Sequence, residues 1–141
     1  MSRVKLKDLR VSLIQPDSTF KYVPIDEGVY CAVLNLFSIG WDSEPLQIYE
    51  VYMSELDKYH YRGKTASTEI SYEEFMNLLF DIRDKGFKIQ DPKIKLEGNK
   101  VLNGQHRAAI LYYLYPDAEL TVDEKGEAIE VWNRLDVAEG Q

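Results

Sequence analysis

The chain has one cysteine and two histidines among its 141 residues, and these scarcities set the first limits. A lone Cys31 cannot build an internal disulfide framework, and a cysteine-rich zinc site needs several thiolates. His60 and His106 stand at no fixed spacing to carboxylates, so no metal site is expected. Apolar stretches run only a few residues, too short to cross a membrane. The basic start, Met-Ser-Arg-Val-Lys-Leu-Lys, lacks the long apolar segment of a secretory signal. The expectation is a soluble, cytoplasmic protein with no membrane partner. Internal repeats and low-complexity tracts are missing too.

Positive charge is also short. Seventeen Lys and Arg against 24 Asp and Glu leave a net charge of −7. A domain that grips duplex nucleic acid over a broad face is usually basic, because neutralising phosphates supplies much of that affinity. DNA is therefore not expected as a partner, whereas a small local anion site stays open.

What is present belongs to a folded chain. Hydrophobic residues make up 45% and charged residues 29%, near the globular averages, so wholesale disorder is not expected. Five separate prolines read as punctuation between elements. Val11–Ile14 reads as a short strand, and Tyr30–Phe37 favours a helix while admitting a buried strand. Leu46–Met53 suits a strand or a helix, Trp41–Pro45 reads as a loop, and Tyr59–Thr68 reads as a polar loop.

The second half is plainer. Ser71-Tyr-Glu-Glu74 is a capping box, followed by Phe75, Leu78, Leu79 and Ile82 on one helical face and by Gly86 as a stop. The spacing predicts a helix over Tyr72–Lys85. Lys93–Leu102 reads as a β-hairpin turning at Glu97-Gly98-Asn99. A second helix is predicted from about Gln105 to Tyr115, stopped by Pro116. Glu119–Val122 and Ile129–Trp132 are candidate strands. Helices mixed with short strands give an α+β class, with a small mixed sheet in a single domain.

Charge is unevenly spread along this half. Arg83–Arg107 holds seven basic residues against three acids, whereas Asp117–Gln141 holds eight acids against two basic residues. Within the basic stretch, Asn103-Gly104-Gln105-His106-Arg107 joins a strand to a helix. A glycine there lets the backbone turn sharply and lets a ligand approach closely. The helix start directs unpaired amides and a positive dipole end at the junction, and a guanidinium adds bidentate contacts to phosphate oxygens. Taken alone, these residues admit both an anion cradle and a solvated first turn.

Val101-Leu-Asn-Gly-Gln-His-Arg-Ala-Ala-Ile-Leu111, preceded by a hairpin and by the helix ending Ile82-Arg-Asp-Lys-Gly86, resembles the ParB/sulfiredoxin-like superfamily. The Gly-Gln-His-Arg form is similar to its DGQHR-type members. The resemblance covers about Leu46 to Val122. It implies a ParB/sulfiredoxin-like fold with residues 46–122 as the core, 1–45 as an N-terminal extension packed on it, and 123–141 as an acidic segment with an edge strand. It further implies that the junction holds nucleotide phosphates, ATP/ADP or CTP, with Mg²⁺. By position, Asn103, Gly104, Gln105, His106 and Arg107 would form the cradle. Arg62, in Tyr61-Arg-Gly-Lys64, would match an upstream arginine of the family's loop, with Lys64 beside it. The loop from Arg62 to Ser71 is not the family's Asn-Pro-x-x-x-Arg pattern, however, and exposed loop charges fit both residues equally.

Beyond that loop, the chain departs from the family in three places. Asn103 stands where aspartate is common. Gln105 replaces the cysteine that sulfiredoxin needs, so sulfinic-acid reduction is not expected, and Cys31 reads as a buried small residue. Only 19 residues follow Val122, and they are acidic, so the helix-turn-helix of partition proteins is not expected. The functions this leaves are a nucleotide-dependent transferase, kinase or switch, a non-catalytic protein-interaction module, and a DNA-binding or nuclease-like protein.

Overall fold

The computed structural model describes residues 2–15, 17, 19–41, 43–61, 70–86 and 94–132, the side chains of 57–61 apart. Strand β1 (Ser2–Lys5) passes through a 3-10 turn at Leu6–Asp8 into β2 (Arg10–Ile14) and β3 (Phe20–Pro24). A second 3-10 turn at Ile25–Glu27 leads to helices α1 (Val29–Ser38), α2 (Ser43–Tyr61) and α3 (Tyr72–Lys85). The hairpin β4 (Lys95–Glu97) and β5 (Lys100–Asn103) follows, then α4 (Gln105–Leu114), β6 (Glu119–Val122) and β7 (Ala128–Trp132).

The strands form two small sheets, ordered β1-β6-β7 and β3-β2-β5-β4. Every pairing is antiparallel except β2 with β5, which run parallel at Arg10 and Lys100. With four α-helices among the described residues, the class is α+β, as the sequence pattern indicates. The sheets meet where Leu96 N–H donates to the Gly126 carbonyl at 2.7 Å and Ala128 N–H to the Ile94 carbonyl at 2.9 Å. Gly126 makes that junction possible: its φ is +86°, and a Cβ there would collide with the Leu96 carbonyl oxygen.

Local chemistry explains the helices that the sequence makes plain. Ser71 Oγ accepts from the Glu74 amide at 3.0 Å, and Glu74 Oε1 accepts from the Ser71 amide at 2.8 Å, closing the reciprocal cap of α3. Phe75, Met76, Leu79 and Ile82 are buried, and Gly86 stops the helix at φ 83°. Helix α4 differs from this one-sided pattern. Ala108, Ala109, Ile110 and Leu111 are buried in succession, so α4 is enclosed rather than laid on a surface.

Several expectations change. Leu46–Met53 resolves as helix, inside α2, which starts at Ser43 where a loop was expected. Pro45 fits because a proline in the first turn forfeits no intrahelical bond. The same helix takes in 59–61 of the expected polar loop, and the rest of that loop lies outside the described residues. Strands β1 and β3 have no counterpart in the sequence reading. The first 38 residues carry three strands, with β2 inside the four-stranded sheet, and Leu6, Leu9 and Ile25 are almost fully buried in the common core.

Candidate functional site

The strand-to-helix junction is built by one glycine. Asn103 ends β5 opposite Lys95 and is exposed. Gly104 then takes the left-handed conformation, φ 84° and ψ 31°, as the N-cap of α4. The strand can thereby turn into the helix within a single residue. Glycine has no side chain with which to cap the amides, and the first turn contains no acid. The Ala108 amide bonds to the Gly104 carbonyl at 2.9 Å, so the helix is regular from its first turn. Backbone donors and the positive dipole end are thus offered at this point.

The side chains of the first turn divide between two tasks. Gln105 Nε2 donates to Ser12 Oγ at 2.6 Å and to the Val101 carbonyl at 3.3 Å, tying the turn to β2 and β5. His106 turns into an aromatic nest. Its ring stacks on Tyr30 at 4.1 Å between centroids and meets Phe75 edge-on at 5.1 Å. Its Nε2 lies 2.9 Å from the Tyr49 hydroxyl. Burial, helped by the Arg107 charge, pushes the imidazole pKa down to about 4, so His106 is neutral near pH 7. Arg107 is half-buried on the next position.

Of the residues that sequence assigns to the cradle, Gly104, Gln105, His106 and Arg107 therefore come together. Gly104 forms the turn and Arg107 is half-buried beside it, whereas Gln105 and His106 support the turn from inside. Arg62 and Lys64 lie outside the described residues. Tyr30, Tyr49 and Phe75 were not anticipated as neighbours of the site. They come from three different helices, and no spacing within one helix announces such a cluster.

A cleft of about 10 Å³ opens beside Gln105, lined among others by Ser12, Gly28, Tyr30, Cys31 and Tyr52. That is room for about one water molecule. Cys31 faces it from the first turn of α1, but burial, with Asp26 adding, pushes its thiol pKa up to about 12. The thiol is therefore unsuited to act as a nucleophile. Among the described residues, no group of three or more His, Cys, Asp or Glu is placed to hold a metal ion. No helix among them is long and apolar enough to cross a membrane.

Compared with protein-family models, with curated proteins and with solved structures, the chain matches none of them.

Proposed function

We propose that the protein binds a phosphate-bearing ligand, a nucleotide with Mg²⁺ by resemblance to the ParB/sulfiredoxin-like superfamily, at the start of helix α4. One observation carries this reading: Gly104 opens α4 in the left-handed conformation, with no side-chain cap and no acid in the first turn. Backbone amides in that geometry are donors for an anion, and Arg107 supplies a guanidinium that is always charged. A Mg²⁺ ion would be held chiefly by the phosphates, as magnesium commonly is, rather than by a cage of protein carboxylates.

The state of the side chains favours binding over turnover at this turn. His106, the group that would first be considered as a general base, is packed among rings and poorly basic. A nucleotide-regulated switch or interaction module fits these residues better than a transferase that uses His106 as its base. Net charge of −7 counts against the DNA-binding or nuclease reading.

Calorimetric titration with ATP, ADP and CTP, each with Mg²⁺, tests the reading. Wild-type protein is expected to bind one of them, and Arg107→Ala to bind it about ten- to a hundredfold more weakly, the range for a hydrogen-bonded charge. Absence of binding by the wild type to all three overturns it.

A further inference from the structure

The hydroxyl of Tyr49 fixes the chemical state of His106. Tyr49 stands on α2 and is 1% exposed. Its oxygen lies 2.7 Å from the Ile70 carbonyl oxygen and 2.9 Å from His106 Nε2. A phenol has one hydrogen, and a carbonyl oxygen can only accept, so that hydrogen points at Ile70. The remaining contact is a hydrogen bond only if His106 Nε2 carries a hydrogen and donates it to the phenol oxygen.

We propose that a directed relay, His106 Nε2–H to Tyr49 Oη–H to the Ile70 carbonyl, holds His106 as its neutral Nε2–H tautomer and makes Tyr49 the positioning residue of the α4 start. Tyr30 stacks on one face of the imidazole and Phe75 meets it edge-on, so the ring plane is fixed as well as its hydrogen. Ile70 immediately precedes Ser71, the N-cap of α3. The relay thus joins the capped start of α3, through α2, to the uncapped start of α4. No ionised group is needed for this. The contacts are neutral, and their directions follow from counting hydrogens. The positioning role rests on the reading of the α4 start as a phosphate site, whereas the tautomer does not.

Side-chain ¹⁵N–¹H correlation spectra of uniformly labelled protein at pH 7 test both parts. His106→Gln identifies which of the two imidazoles belongs to His106. The wild type is expected to show His106 with hydrogen on Nε2 alone and an unprotonated Nδ1. A wild-type spectrum with hydrogen on Nδ1, or an even mixture of tautomers, overturns the relay. Tyr49→Phe keeps the ring and removes the acceptor. It is expected to release the single tautomer and to weaken binding of whichever of Mg·ATP, Mg·ADP and Mg·CTP the wild type binds about three- to tenfold, the effect of one neutral hydrogen bond.

Unchanged affinity in Tyr49→Phe overturns the positioning role while the phosphate site stands. A wild type that binds neither nucleotide nor inorganic phosphate, yet keeps the Nε2–H tautomer, overturns the phosphate site and the positioning role and supports the relay. If Tyr49→Phe does not fold, His106→Gln and His106→Leu replace it. The glutamine amide can still donate to Tyr49, so it is expected to bind more tightly than leucine; equal weakening overturns the positioning role.

Discussion

Helices α3 and α4 begin in opposite ways, though both face the same problem of amides without intrahelical partners. At α3 the problem is solved internally: Ser71 and Glu74 bond each other's backbone, and Glu73 and Glu74 place negative charge on the dipole. At α4 it is left open, with Gly104 as cap and Gln-His-Arg in place of acids. Helix α1 marks a third case. It also starts without a side-chain cap, at Gly28, but Tyr30 and Cys31 in its first turn are buried and Asp26 and Glu27 precede it. An uncapped start is therefore not enough. What distinguishes α4 is that its start is partly accessible and carries Gln-His-Arg where α3 carries acids.

The largest expected effect comes from His106, which the α3 start has no counterpart for. Its pKa is about 4 when folded against an ordinary 6.5 when unfolded. Between these values the unfolded chain binds more protons, so stability rises with pH. The contribution is fully present above about pH 6.5 and is lost as pH falls through 4, amounting to about 3 kcal/mol by the shift in pKa. Denaturant unfolding across that window should show the loss in the wild type and a correspondingly shallower slope in His106→Gln.

Gly104→Ala comes next. A side chain at φ 84° pays the left-handed penalty, about 1–2 kcal/mol, and the junction is expected to bind nucleotide less well besides. Ser71→Ala is the matching change at the closed start. Loss of the cap should cost about 1 kcal/mol in thermal or denaturant unfolding and leave nucleotide affinity unchanged. If Ser71→Ala weakens binding as much as Gly104→Ala, the two starts are not functionally different. At α1 no reaction is expected: a cysteine near a helix start is commonly activated, but burial keeps Cys31 protonated, so iodoacetamide should label it only in denaturant.

How much of this was legible depended on whether the signal was local. The cap of α3 and the hairpin turn are written in a few consecutive residues, and α3 appears with the expected bounds Tyr72–Lys85. Its buried face takes Met76 in place of the expected Leu78, which is half-buried, and the described hairpin strands are Lys95–Glu97 and Lys100–Asn103. The strand Phe20–Pro24 was not legible, because its place is set by pairing with Arg10–Ile14 rather than by its own pattern. Leu46–Met53 mixes aromatic and β-branched residues that suit either periodicity, and tertiary packing of Tyr49 settles it as helix. At the site, Gly104 and its turn were readable as a strand-to-helix junction. That His106 faces inward was not, since its partners come from α1, α2 and α3, distant in sequence.

Phosphate is expected at the α4 start and not at the α3 start. The direct measurement is a backbone amide ¹⁵N–¹H titration of the wild type with Mg·ATP, Mg·ADP and Mg·CTP. The account predicts saturable shifts centred on the amides of Gly104, Gln105, His106 and Arg107, with Ser71–Glu74 unmoved by comparison. No shift with any of the three, or shifts centred on Ser71–Glu74 and absent from Gly104–Arg107, would contradict it.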